Sequence, residues 1–354
     1  MTRILQVVQH LRPGGIETMA LELLGRAGPG GEIASLEGST PGLIAAWPPL
    51  AAVAHRVHGL GKPPGLRPWL ILRLARLMRR LRTEIVHTHH IGPLIYGGLA
   101  GRLAGVRRIV HTEHDAWHLA TPRRRQVEAL ALRLVRPVLV ADAGFVERAL
   151  ARAFPTRKVL VIRNGIDTAR FVPGDRHAAR QGFGLPLDGP IIGCAARLER
   201  VKGVDLLLEA FARLPPPIRL AIAGEGSENR TLRDQAAACG LADRVDFLGR
   251  IDDMPRFYQA VDVFCLASRA EGLPLSLLEA QSSGVRAVAF DVGGMAEALC
   301  PRTGRLVPAG DIAALASALE AAVGVPATEE PRRFVLAERG LDDMARAYGR
   351  CYDA

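Results

Sequence analysis

The sequence predicts an α/β protein of two domains, each a doubly wound parallel sheet. Short apolar β-type runs alternate with longer helical patterns almost throughout, the signature of stacked βαβ units. A turn-rich stretch at 164–175, NGIDTARFVPGD, interrupts the alternation, and the pattern restarts beyond it. At 354 residues the chain exceeds one ordinary core, and 49% apolar residues suffice for two. The expected domains are residues 1–166 and 167–335, with a helix over 336–354 packing back on the first. Ligands in such sheets bind outside the carboxyl ends of the strands, and two such domains facing each other put their main site in the cleft.

In the first domain RILQVV is a strand, followed by a glycine loop and the helix IETMALELLGRA. EIVHTH is a strand leading into a helix through LIYGGLAGRLAG, and RRIVHTEH leads into a helical stretch from about Arg123. PVLVAD and KVLVIRNG close the first half. In the second, strands PIIGCAAR, IRLAIAG and VDFLG alternate with helices GVDLLLEAFARL, ENRTLRDQAAACG and MPRFYQAV. DVFCLAS then runs into EGLPLSLLEA, and GVRAVAF precedes DVGGMAEAL.

The formal charge of +10 is arginine-dominated and points to anionic partners: nucleotide phosphates, a membrane surface or nucleic acid. Aromatics at 5% argue against a stacking platform for single strands, and no helix-turn-helix or RNA-binding signature occurs, so nucleic acid is not expected. Five scattered cysteines without a Cys-x-x-Cys pair fit a reduced, cytoplasmic protein. MTRILQVVQH is too short an apolar run for a signal peptide, and no stretch of some twenty apolar residues spans a bilayer.

CAARLERVKG places Arg197 and Lys202 at a strand's carboxyl end beside a helix opened by Gly203, a suitable diphosphate site. Gly224 and Gly226 end the next strand and allow close backbone approach to an anion. DVGGMAE and, near the N-terminus, LRPGGIETMA with Gly14 and Gly15 repeat the device. In EGLPLSLLEA, Glu271 precedes a helix whose first turn suits Pro274, and Glu279 lies about two turns along it.

With these motifs the chain resembles a retaining family-4 glycosyltransferase of the GT-B fold, that is, two Rossmann-like domains, over essentially its whole length. The residues that carry the resemblance are Gly14–Gly15 with Glu17, HTEH at 111–114, the 164–175 linker, Arg197, Lys202 and Gly203, Gly224-Glu225-Gly226, the Glu271/Glu279 pair and GGMAE. The resemblance implies that Glu271 meets donor-sugar hydroxyls, that the N–H groups of Gly272 and Leu273 touch sugar and phosphate, and that Glu279 holds the ribose. Arg197 and Lys202 then neutralise the leaving diphosphate, Gly14 and Gly15 let the N-terminal loop close on the donor, and Arg250 and Ile251 line the base. His114 lies beside the reacting sugar. No residue reads uracil against guanine.

HTHH and HTEHDAWH lack the His-Glu-x-x-His spacing, so no metal is expected and the nucleotide-sugar is the only cosubstrate. The expected reaction is metal-independent transfer of a sugar, with retention, to a glycan, lipid-linked saccharide or lipid hydroxyl, in cell-surface polysaccharide or glycolipid synthesis. An epimerase is disfavoured by the glutamate pair, and a phosphorylase by the lack of a pyridoxal-binding lysine context. An inactive GT-B scaffold or an anionic-lipid-binding module is the alternative; it would have lost Lys202, Glu271, Glu279 or His114, and all four are present. RPWLILRLARLMRRLR at 67–82 reads as a helix with one apolar stripe (Leu70, Ile71, Leu74, Leu77, Met78, Leu81) and arginines on its other faces. It either packs on its own sheet or brings the N-terminal domain to the anionic inner face of the cell membrane.

Overall fold

The structure is a computed structural model and describes residues 2–353. The chain forms two compact units, dividing between Asn164 and Gly165 and re-entering the first unit at Asp342, not at 167 and 336. Backbone pairing sets these points. Ile166 bridges Gly340, its N–H donates to Arg339 O (2.9 Å), and Leu341 N–H donates to Ile166 O (3.0 Å).

The N-terminal unit carries seven strands: β1 (Ile4–Val8), β2 (Gly31–Ser35), β3 (Val57–Gly59), β4 (Ile85–His89), β5 (Arg108–Glu113), β6 (Val138–Ala141) and β7 (Val159–Val161). They order 3-2-1-4-5-6-7, all parallel. The C-terminal unit repeats the plan with β8 (Ile191–Ala195), β9 (Arg219–Ala223), β10 (Val245–Gly249), β11 (Val263–Leu266), β12 (Arg286–Phe290) and β13 (Arg305–Val307), ordered 10-9-8-11-12-13. Both are doubly wound sheets in which the order reverses at the first strand, between β1 and β4 and between β8 and β11. Loops at such a reversal splay apart and leave a crevice for ligands.

The helix Trp69–Leu81 turns its apolar stripe inward. Leu70, Leu74, Ala75, Leu77 and Met78 are buried with Leu5, Val7, Val86 and Ala100 in one core cluster, and Ile71 and Leu81 pack against it. That stripe is therefore core and cannot enter a bilayer. Arg82 ends the helix in the left-handed region (φ 51°), with Thr83 N–H donating to Met78 O (2.9 Å). The C-terminal helix Leu341–Asp353 belongs to the N-terminal unit from Asp342 onward. Its Tyr352 hydroxyl meets His87 Nδ1 (2.8 Å), and Arg107 and Arg108 donate to the carbonyls of Tyr352 and Cys351 at its end.

Candidate active site

In the C-terminal unit the chemistry gathers on the loops after β8 and β11. Lys202 ends a single 3-10 turn, Arg200–Lys202, behind β8. Gly203 follows at φ 63°, where a Cβ would lie 1.9 Å from Ala267 O, so the two loops touch backbone to backbone. Lys202 Nζ donates to both oxygens of Glu271, at 2.7 and 2.8 Å, and Ser268 Oγ donates to Oε1 at 2.7 Å. Glu271 is only 8% exposed, so its charge is balanced within the protein. Gly293, at φ 56°, presses on Glu271 O, and Gly294 N–H donates to Gly272 O (3.0 Å). Among the described residues no acceptor meets the N–H of Gly272 or Leu273. These two donors stand just ahead of the helix Leu275–Ser282, for which Pro274 is the N-cap and not a first-turn residue.

Glu279 accepts from the Tyr258 hydroxyl (2.7 Å). Burial, reinforced by that carboxylate, pushes the Tyr258 pKa well above its usual value, so the phenol remains a donor. Arg197, exposed directly after β8, has no ion-pair partner among the described residues. Gly224 and Gly226 bring the β9 loop against Ala196 O and Leu198 O. Arg250 and Ile251 follow β10, the edge strand two places from β8, where Arg250 pairs with Asp252 (3.3 Å). Lys202, Glu271, Gly272 and Leu273 are thus drawn together. Glu279 lies one helix along, and the base-lining pair stands farther out.

In the N-terminal unit, Gly14 caps the helix Gly15–Arg26 in extended backbone, and Glu17 folds back over it to meet His10 Nδ1 (3.2 Å). His114 follows β5 and is 5% exposed. Its Nδ1 faces Asp142 Oδ2 (3.1 Å), which also accepts from Asn164 Nδ2 (2.8 Å). Its Nε2 lies 3.0 Å from His89 Nδ1, and His89 Nε2 donates to Gln6 Oε1 (2.8 Å). Burial and neighbouring histidines hold the His89 pKa well below 6.5, so His89 is neutral and its Nδ1 is an acceptor. His114 Nε2 is therefore the donor across the His89 contact, and its Nδ1 faces the Asp142 carboxylate. A hydroxyl contact from His114 therefore requires the His89 contact to open.

A second histidine group surrounds Glu113. His90 and His111 both contact it at 3.1 Å, and His118 bridges Asp115 (3.3 Å) and Glu128 (2.7 Å). Burial would raise the Glu113 carboxyl, but hydrogen bonds from His111 and His90 hold it well below the usual range. His111, Glu113 and Glu128 each offer a ligand atom within 4.8 Å of one another, the one grouping with metal-ligand character among the described residues. Each of its carboxylates also accepts from a histidine, Glu113 from the half-buried His90 and Glu128 from the buried His118.

A pH dependence follows. Burial opposes charge on His90 and His118, yet carboxylate contacts (Glu113 for the first, Asp115 and Glu128 for the second) raise their pKa values to about 9 and about 10. A raised folded-state pKa stabilises fully below the unfolded value of about 6.5 and is lost as pH climbs through the folded value. Urea midpoints should fall across that alkaline window, and His118→Asn should flatten the fall. An equal slope in the variant would show that His118 carries no charge in the folded state.

Sequence reasoning missed Ser268, Tyr258, Asp142 and His89. Ser268 stands three residues before Glu271 and was within reach of a local reading. Tyr258 and Glu279 are 21 residues apart, and no local signal joins them.

The Glycosyltransferase Family 4 profile matches residues 4–170, and the Glycosyl transferases group 1 profile matches residues 175–339. The GDP-mannose-dependent alpha-(1-6)-phosphatidylinositol monomannoside mannosyltransferase of Mycolicibacterium smegmatis is 32% identical over 271 residues, 71% of this chain and 70% of the relative. The chain belongs to glycosyltransferase family 4. This family-4 chain is also 38% identical to the D-inositol 3-phosphate glycosyltransferase of Stackebrandtia nassauensis over 212 residues, 56% of the chain but only 47% of that relative. It thus spans about half the length of that curated relative. Its fold is that of the crystal structure of Anabaena Alr3699/HepE in complex with UDP and glucose, with a TM-score of 0.87 at 21% identity and full coverage of both chains. Two parallel sheets in this arrangement are the GT-B fold.

Proposed function

We propose that this family-4 chain is a retaining glycosyltransferase that moves a sugar from a nucleoside-diphosphate sugar to a hydroxyl on a glycan, a lipid-linked saccharide or a lipid, in cell-surface polysaccharide or glycolipid synthesis. The observation that carries this reading is the carboxylate pair, with Glu271 held by Lys202 and Ser268 and Glu279 held by Tyr258. Glu279, oriented by the Tyr258 hydroxyl, is a carboxylate acceptor of the kind that ribose hydroxyls need. The free N–H groups of Gly272 and Leu273 suit the sugar and the phosphate. Lys202 uses two of its three protons on Glu271 and keeps one for the diphosphate, where Arg197 adds a second cation.

Retention suits these groups. Both Glu271 oxygens already accept hydrogen bonds, and a carboxylate so neutralised is a poor nucleophile for a double displacement. In a one-face reaction the anomeric bond to the diphosphate oxygen breaks while the acceptor oxygen bonds on the same side. The acceptor proton passes to the departing phosphate. Arg197 and Lys202 supply the positive charge, so no divalent cation is required. His114, with Asp142 behind its Nδ1, is the N-terminal unit's candidate hydrogen-bond donor to a sugar hydroxyl.

The deciding experiment is a nucleotide-sugar panel, with both uracil and guanine donors, run with and without excess chelator. One donor should raise the melting temperature, as any ligand binding only the folded chain does, and should be hydrolysed slowly to a product of unchanged anomeric configuration. No shift with any donor would sink the transferase reading, and an inverted product would sink retention. Activity lost to chelator and restored by magnesium or manganese would overturn metal independence.

A further inference from the structure

His111, Glu113 and Glu128 form a buried cluster that the transfer reaction leaves unused. His111 and Glu113 stand two residues apart on β5, so both side chains leave the same face of the sheet. Glu128 reaches them from the following helix, Pro122–Val135, and one ligand atom from each lies within 4.8 Å of the others. All three residues are 0% exposed.

The surrounding hydrogen bonds decide which atoms of the cluster remain available. His111 Nδ1 lies 3.2 Å from the carbonyl oxygen of Thr88 and 2.9 Å from its hydroxyl. A carbonyl only accepts, so Nδ1 carries a proton, and Nε2 presents a lone pair unless a second proton fills it. Glu113 Oε2 is taken by His90 Nδ1 (3.1 Å) and Glu128 Oε2 by His118 Nε2 (2.7 Å). What is left is His111 Nε2, Glu113 Oε1 at 3.1 Å from it, and Glu128 Oε1. The last is buried without a hydrogen-bond partner among the described residues, and an oxygen of this kind calls for a donor or a cation.

The three atoms are each backed from behind: His111 by Thr88, Glu113 by His90 and Glu128 by His118. Metal ligands are held in the same way, with the second ring N–H on a carbonyl and the second carboxylate oxygen hydrogen-bonded. A buried water would satisfy Glu128 Oε1, but it would not explain a histidine nitrogen turned onto a carboxylate oxygen. A cation accounts for both. Ligands of a tetrahedral zinc ion stand about 3.4 Å apart, close to the 3.1 Å between His111 and Glu113. Magnesium and calcium favour oxygen shells of six or more with waters, whereas an imidazole in an unexposed set of three donors suits zinc.

We propose that His111 Nε2, Glu113 Oε1 and Glu128 Oε1 bind one zinc ion inside the N-terminal unit. The ion's two charges match the two carboxylates, as burial requires. It ties the end of β5, one residue before His114, to the helix Pro122–Val135. Without zinc the histidine protons balance the carboxylates, so binding expels protons. The alkaline loss of stability expected of His90 and His118 belongs to that zinc-free form. The His-Glu-x-x-His spacing gathers ligands along one helix, and its absence does not exclude a strand pair joined by a ligand from the next helix. The site rests on this cluster alone and not on the transferase reading, whose cations are Lys202 and Arg197.

The test is metal analysis of the full chain, stripped with dipicolinate, dialysed, and titrated with zinc chloride or magnesium chloride. Wild type should keep one zinc per chain through gel filtration and melt at a higher temperature with it, and magnesium should do neither. X-ray absorption at the zinc edge reads the ligands without any variant, and only nitrogen and oxygen at about 2.0–2.1 Å are expected. Glu128→Gln preserves the side chain's size and an acceptor for His118, while His111→Gln removes the nitrogen. Each should weaken zinc retention at least about tenfold, and Cys239→Ser, at the exposed thiol, should retain zinc as wild type does. Folded wild type that keeps no zinc overturns the proposal. So does sulfur in the zinc shell, or retention in both ligand variants equal to that of wild type.

Discussion

Lys202→Ala is expected to lower turnover by two to three orders of magnitude, the loss of about 3–4 kcal/mol typical of removing one preorganised donor to a developing charge. Lys202 touches both oxygens of a carboxylate that is 8% exposed. On the proposed mechanism its removal does two things: it withdraws a cation from the leaving diphosphate, and it leaves Glu271 buried with Ser268 as its remaining partner, repelling that same diphosphate. The second effect also destabilises the fold, by about 1–3 kcal/mol for a buried charged group left short of a partner. Adding Glu271→Gln to Lys202→Ala should restore much of the lost melting temperature and none of the turnover. The double variant thus separates the structural role of the pair from the catalytic one. Near-normal turnover in Lys202→Ala would remove Lys202 from the mechanism.

Glu279→Ala should weaken binding of free nucleoside diphosphate about 10- to 100-fold, the loss of charged hydrogen bonds worth about 1.5–3 kcal/mol. Ribose contacts do not depend on the sugar, so the intact donor should weaken equally. Tyr258→Phe removes only the hydroxyl that orients Glu279 and should weaken diphosphate binding less than Glu279→Ala does. Glu271→Gln should spare diphosphate affinity, because the proposed role of this carboxylate is toward the sugar and its partners in the protein are Lys202 and Ser268, and should lower turnover with the intact donor. Calorimetry with the diphosphate and kinetics with the donor read the two effects apart. The same loss of diphosphate affinity in both glutamate variants would refute the division between them.

The strands that were legible are those buried on both faces, such as Ile191–Ala195 and Arg219–Ala223, because a parallel strand covered by helices reads as a near-continuous apolar run. Gly31–Ser35 and Val57–Gly59 escaped notice. They are short, and a polar pair, Glu32 with His58 at 2.9 Å, crosses between them, so neither carries the apolar signal. Arg305–Val307, at the edge of the second sheet, is three residues long with two exposed, and was hidden for the same reason.

By itself the sequence determined the two α/β units, the turn-rich junction near Asn164, and the residue types offered at each strand end: Lys202, Glu271, Glu279 and His114. These follow from local periodicity and spacing, which the backbone converts directly into strand, loop and helix. Only the tertiary structure decided who meets whom. Lys202 and Glu271 are 69 residues apart and touch because β8 and β11 are neighbours in the sheet. His114 finds Asp142 because β5 lies beside β6. The Trp69 helix was plainly amphipathic, but an amphipathic pattern states only that one side will be covered. Packing chose the Leu74 side for the core and left Trp69 and Leu72 outward. Strand order and helix layering depend on contacts between distant residues, and those contacts leave no trace in local spacing.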